Sequence, residues 1–242
     1  MKKSLIVVMV AFGLFLNAFV TSSAMAGSYS IGIIAATGKV DTEGSEHEGS
    51  ASADSDNEIT TTTHQEEILY GSLFAEYTWG EKYGLTLGAS YTPINSSIGT
   101  KSRTDSQTAS DTLDTAGGSD DSGTYTAEAE ISDHATLYIE PTFMPSDNFG
   151  VFLKGGVSRV TVKSLETIAL GEDSSAYGNE NVLGRMFGVG AKIQHDGGLM
   201  FKVEYTKTMY DEVTMTSTSG NKNTIKADPE IEAVRLSIGY RF

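Results

Sequence analysis

Cysteine is absent from the 242 residues, and the chain carries only four prolines and one tryptophan. Without cysteine there is neither a disulfide scaffold nor a thiolate metal site, so stability has to come from packing and backbone pairing. Basic residues are scarce as well: 17 Lys and Arg stand against 32 Asp and Glu, a formal net charge of −15. That deficit excludes nucleic acid as a partner, because nothing would neutralise its phosphates. Long apolar runs are missing beyond the first residues. No later stretch reaches the roughly 18 residues that a membrane helix needs, so only a closed ring of strands could cross a bilayer.

The one apolar run, Leu5 to Val20, follows Lys2 and Lys3 and precedes Ala24-Met25-Ala26. A basic start, a short greasy core broken by Asn17 and a small-residue end make a secretory signal peptide over 1–26, cleaved before Gly27. The remaining residues, 27–242, are expected to form one domain. Losing the two lysines takes the charge from −15 to −17.

Eight segments of that domain alternate apolar with small or polar residues at a period of two, approximately 28–40, 66–79, 82–94, 134–144, 149–162, 182–195, 198–210 and 230–242. Such alternation belongs to strands with one oily and one polar face. In the third, Tyr83, Leu85, Leu87, Ala89 and Tyr91 share one side, and Gly84, Thr86, Gly88, Ser90 and Thr92 the other. Connections alternate in length: short near Gly80–Lys82, Pro145–Asn148 and Asp196–Gly197, long at 41–65, 95–133, 163–181 and 211–229. Short turns thus gather at one end and long loops at the other, as in transmembrane barrels. The pattern predicts an all-β, eight-stranded antiparallel up-and-down transmembrane β-barrel. Pro141, which cannot donate to a ladder, predicts a local bulge.

The last segment ends Leu236, Ile238, Tyr240, Phe242, all of one parity. Here the sequence resembles bacterial outer-membrane barrels, in particular the small OmpA/OmpX type. The resemblance covers residues 27–242 as a pattern, and only the terminus matches a specific motif. It implies a Gram-negative outer-membrane location with short turns in the periplasm and long loops outside. It also implies that Tyr240 and Phe242 act as the signal read by the barrel-assembly machinery. No domain is expected after the barrel.

Parity turns seven charges inward. Glu76, Glu140 and Glu204 each lie in the phrase apolar-Glu-x-Thr, and Lys154, Lys192, Lys202 and Arg235 share their side. An eight-stranded barrel is just wide enough for its side chains to fill it, and buried charges must be paired. A lumen ion-pair network with no open pore follows. The alternative is a narrow porin-like channel for small solutes, opened by loosening of those pairs or sideways through the wall. Catalysis by the glutamates is the weaker reading, because structural ion pairs satisfy the same pattern. Of the histidines, His47 and His64 fall in a loop, His195 at a turn, and His134 alone faces the lumen. No catalytic triad can be assembled, and no enzyme activity, cofactor or metal is expected.

Outward parity near the long-loop end collects Arg159, Arg185 and Lys207. These are candidate contacts for lipopolysaccharide phosphates, or else ordinary snorkelling cations. Residues 41–67 hold nine acids, and 99–133 hold eight against Lys101 and Arg103. Nearly all the net charge therefore sits on long Ser-, Thr- and Gly-rich loops. Asp54, Asp56 and Glu58 alternate like cation ligands, yet Ile59 and Gln65 stand where an EF-hand needs Gly and Glu. The expected partners are outer-membrane lipid, lipopolysaccharide and the assembly machinery, for a monomer whose role is structural or surface interaction.

Overall fold

The computed structural model describes residues 27–47, 59–105, 123–167, 177–216 and 224–242. The proposed signal peptide, the Asp54, Asp56 and Glu58 trio and much of the acidic loops lie outside those residues. The described residues form ten strands: β1 (Gly27–His47), β2 (Ile59–Trp79), β3 (Tyr83–Thr92), β4 (Ser96–Asp105), β5 (Gly123–Phe143), β6 (Phe149–Thr167), β7 (Asn179–Gln194), β8 (Leu199–Tyr210), β9 (Val213–Thr216) and β10 (Thr224–Arg241). Every pairing is antiparallel. The ring runs β1-β2-β3-β5-β6-β7-β8-β10, and β10 pairs back onto β1. These eight staves make a closed antiparallel barrel, and β4 and β9 extend it at the long-loop end.

The register fixes the shape. Following paired residues round the ring from Asp41 through Glu230, Met209, Arg185, Val157, Leu137, Ala89 and Ala75 returns to β1 at Ile31, ten residues lower. With ordinary strand spacing and rise, that offset tilts the staves by about 40° from the axis. The interior is then too narrow to stay empty.

The outer wall is apolar where a soluble protein would be polar. Leu153 is 62% exposed, Leu236 and Leu183 59%, and Ile33 and Phe187 56%. On β6 this band runs from Phe149 to Val157 before Arg159 ends it, about the nine to eleven residues of a tilted membrane-spanning strand. Aromatic rings collar the short-turn rim: Tyr83 stacks on Phe143 at 5.4 Å, and Tyr77 meets Trp79 and Tyr29 at 4.7 Å each. Such a girdle belongs where headgroups meet hydrocarbon.

Several strands continue well past their expected upper ends. β2 starts at Ile59 and β5 at Gly123, while β1 reaches His47; β4 and β9 occupy stretches read as loop. Runs such as Ile59-Thr60-Thr61-Thr62-Thr63 have no apolar alternation to reveal a strand, although their β-branched residues suit one. Above the apolar band the ring divides into two leaves, because β2 pairs with β3 only from Leu73 to Trp79, and β4 pairs with β5 alone. One leaf is β9, β10, β1 and β2; the other is β4, β5, β6 and β7. Between them Val40, Ile231, Val213 and Met215 pack with Ile131, Val160, Val182 and Tyr177. Each such aliphatic side chain contributes about 1.5–3 kcal/mol on burial, so the upper lumen is a small hydrophobic core.

The bulge expected at Pro141 is absent. Ile139↔Gly155 and Thr142↔Phe152 keep one register across it. The proline leaves the β5–β6 ladder unbridged for two residues without inserting an extra one. The irregularity on β5 lies higher, between Ser132 and Ala135, where Asp133 has a φ of 52°. Aspartate tolerates this left-handed conformation, and its carboxylate accepts a hydrogen bond from the Tyr91 hydroxyl at 3.0 Å.

Candidate functional site

Alternation along six staves delivers seven charged side chains to one layer in the lower barrel. β2 supplies Glu76, β5 Glu140, β6 Lys154, β7 Lys192, β8 Lys202 and Glu204, and β10 Arg235, all buried. Glu140 is the hub. Lys202 Nζ donates to its Oε2 at 2.5 Å and Lys192 Nζ to its Oε1 at 3.2 Å, while Lys154 Nζ lies 3.4 Å from Oε2. Lys202 also donates to Glu76 Oε1 at 2.6 Å, which accepts the Tyr138 hydroxyl at 2.8 Å. Glu204 is bonded by Lys154 and stands 3.2 Å from Arg235 Nε. That last contact is an ion pair without hydrogen-bond alignment.

Two aromatic side chains complete the layer. Phe152 has three ammonium groups over its ring, Lys202 at 4.8 Å, Lys154 at 5.4 Å and Lys192 at 5.9 Å, and Tyr138 has Lys154 at 4.3 Å. In a dry interior such cation–π contacts are worth up to about 2 kcal/mol each. Sequence reasoning passed over both, although their parity already pointed inward. Ser and Thr fill the spaces between: Ser72 with Thr92 at 2.7 Å, Thr136 with Ser158 and Thr78 with Thr86 at 2.8 Å. The repeated phrase gains a reason at Thr142, two residues past Glu140, whose hydroxyl accepts from Lys192 at 3.0 Å.

His134 sits between the charged layer and the apolar core, within 3.2 Å of the Tyr210 hydroxyl and 3.3 Å of Thr136 Oγ1. The other histidines lie apart: His64 contacts the Ile98 carbonyl at 3.1 Å, His195 accepts from Gly197 N at a turn, and His47 ends β1. Among the described residues no three metal-binding side chains cluster.

The three outward cations are not alike. Lys207 is neutralised by Glu230 at 2.5 Å and Glu232 at 3.2 Å. Arg159 donates to Asn181 Oδ1 at 2.9 Å, and Arg185 has no carboxylate within ion-pair reach among the described residues. Higher still, in the connection to β9, the Glu212 carboxyl is held below its ordinary range by hydrogen bonds from Lys226 and Thr214. At the opposite rim Tyr240 and Phe242 face outward with ring centroids 5.0 Å apart, and Phe242 N donates to the Tyr29 carbonyl at 2.8 Å.

Beneath the charged layer the barrel opens into a cavity of about 680 Å³ at the short-turn end. Thr142, Lys192, Gln194 and Arg241 line its inner wall, and Glu81, Lys82 and Asp147 stand at its mouth.

No family model matches the chain, and no curated protein matches it. Among solved structures it is similar to Ail, the attachment invasion locus protein of Yersinia pestis, determined with the heparin analogue sucrose octasulfate. That match has 13% identity, a TM-score of 0.42, and covers 90% of this chain and 100% of that one. It is also similar to the outer membrane protein OprG of Pseudomonas aeruginosa, with 15% identity and a TM-score of 0.48 over 90% of this chain and 97% of that one. The translocator domain of the autotransporter NalP from Neisseria meningitidis gives 15% identity and a TM-score of 0.35, covering 100% of this chain and 98% of that one. With its closed antiparallel ring, oily outer wall, aromatic collar and filled lumen, this chain is an eight-stranded β-barrel of the bacterial outer-membrane type.

Proposed function

We propose that the protein is a non-conducting barrel of the bacterial outer membrane, exported by cleavage before Gly27, with a structural or surface-interaction role carried by its acidic outer loops. One observation carries the reading: the lumen is blocked twice, by the charged layer around Glu140 and by the apolar core above it. A solute would have to separate buried ion pairs and then pry the packed leaves from each other. The reading assigns the chain no catalytic role, since the lumen carboxylates of Glu76, Glu140 and Glu204 are already engaged by cations. Planar bilayer recording tests it. The expected result is no stable unitary current from the full barrel, and large steady openings refute it.

The same reading makes Arg159 and Arg185 contacts for lipopolysaccharide phosphates at the edge of the apolar band, with Lys207 a lesser one because two glutamates already occupy it. Charges there sit at the interface, where they cost little. Alanine at all three positions is expected to lower the lipopolysaccharide retained on purification, and equal retention removes the assignment. Tyr240 and Phe242, outward and in ring contact, serve in this reading as the handle for the assembly machinery. This reading takes the protein as a monomer, its ring being closed within one chain.

A further inference from the structure

The charged layer does not balance. Glu76, Glu140 and Glu204 face Lys154, Lys192, Lys202 and Arg235, one cation more than the acids can neutralise. Glu140 is divided among three lysines, whereas Lys202 also holds Glu76 and Lys154 also holds Glu204. Among the described residues Lys192 and Arg235 each have a single carboxylate partner, Glu140 and Glu204, and of the two only Lys192 borders the cavity. Its ammonium group has three donors; two are engaged, by Glu140 and Thr142, and the side chain borders the cavity. Part of the layer's excess positive charge therefore borders the cavity.

A second cation lines the same space. Arg241 has inward parity on β10 and donates from Nη1 to Gln194 Oε1 at 2.5 Å; no carboxylate side chain among the described residues pairs with it. Its remaining guanidinium donors form a planar fork suited to an oxyanion. Glu81, Lys82 and Asp147, all exposed in the turns, leave one net negative charge at the solvated mouth. Depth thus separates the charges, with two positive groups and two neutral hydrogen-bonding side chains inside a recess large enough for a small anion.

We propose that the cavity at the short-turn end is a binding site for a small oxyanion, a phosphate or phosphodiester, held between Lys192 and Arg241. The bound anion adds counter-charge to Lys192, which shares Glu140 with two other lysines, and that is the physical reason for it to enter: an incompletely neutralised charge in a low-dielectric interior is costly and an incoming counter-charge reduces that cost. The site depends on the barrel and its register, not on which membrane holds it.

Isothermal titration of inorganic phosphate into the full folded barrel, in zwitterionic detergent at low salt, tests the site. Dihexanoyl phosphatidylglycerol, kept below its micellar concentration, forms a second arm that presents the same group as a lipid headgroup. Saturable one-to-one binding is expected in at least one arm: in the phosphate arm for a free anion, in the lipid arm alone for a headgroup. Arg241→Gln and Lys192→Met are each expected to weaken it at least tenfold, and Lys226→Gln, at the opposite end of the molecule, to leave it unchanged. Arg241 lies at the rim, away from the charged layer, so its variant reports on binding even if Lys192→Met disturbs folding. Absence of saturable binding in both arms overturns the proposal, as does wild-type affinity in Arg241→Gln. A steady current through the barrel would leave this result untouched, so the two readings fail separately.

Discussion

Replacing Glu140 by alanine removes the hub of the lumen. Its carboxylate is fully buried and lies within 3.4 Å of Lys154, Lys192 and Lys202. Three acids face four bases before the change and two face four after it. Removing one partner of a buried pair costs about 3–5 kcal/mol, because the cation left behind stays desolvated. Three lysines share this one acid, which argues for the top of that range. Water reaching Lys192 from the cavity offsets some of it, so the expected loss is about 4 kcal/mol, close to a thousandfold in the folding equilibrium. Lys192→Met should act the other way: it deletes the surplus cation and keeps an apolar stem, leaving stability unchanged or raised. Placed in the Glu140→Ala background, it should recover about 1–2 kcal/mol, the coupling expected of direct neighbours. Urea titration of the barrel in phospholipid vesicles measures each value. The single tryptophan, Trp79 at the aromatic collar, reports unfolding by fluorescence, and unheated gel mobility gives the folded fraction independently. A Glu140→Ala loss under about 1 kcal/mol, the size of an exposed pair, would refute the argument, as would a Lys192→Met loss equal to that of Glu140→Ala.

Two glycines give a matched comparison. A methyl group at Gly88 would fall on the Tyr138 ring, whereas at Gly155, on the lipid side, it meets nothing within 4 Å. Gly88→Ala should therefore displace Tyr138 from Glu76 and cost about 1–3 kcal/mol by overpacking, with Gly155→Ala neutral in the same urea titration. The Glu212–Lys226 pair sets a mild acid sensitivity in the outer hairpin. The folded state holds that carboxyl below its ordinary value of 4.5, so its contribution is complete above that pH and fades as pH falls through the depressed value. Amide protection factors in β9 and the top of β10, with the intrinsic pH dependence of exchange divided out, should fall in acid, and Lys226→Gln should weaken that dependence, leaving the smaller part due to Thr214.

Period-two alternation revealed the eight staves, the direction of the glutamates and the positions of the turns, because lipid outside and a tight lumen inside impose opposite preferences on neighbouring residues. It failed where that contrast vanishes. Thr60 to Thr63 and Ser96 to Asp105 stand above the apolar band, where neither face meets lipid, and their strands are held by backbone pairing that leaves no hydropathy signal. The apolar upper core was legible in principle, since Val40, Val160, Val182 and Ile231 all have inward parity. An expectation of a polar lining hid them. The partition of Glu140 among three lysines, and hence the incomplete neutralisation of Lys192, depends on side-chain reach across the ring and could not be read from spacing.

The pairing of β1 with β10, unbroken from Ser30↔Arg241 to His47↔Thr224, joins the two segments most distant along the chain. On loop-closure entropy alone such a seam is expected to form last, once the intervening staves are in place. Until then both outermost strands carry open backbone edges, so a nascent ring without β10 is unsealed on two sides at once. Closure by that order would end in the pairing of these two edges, and any block to it would leave a sheet poised to pair with strangers.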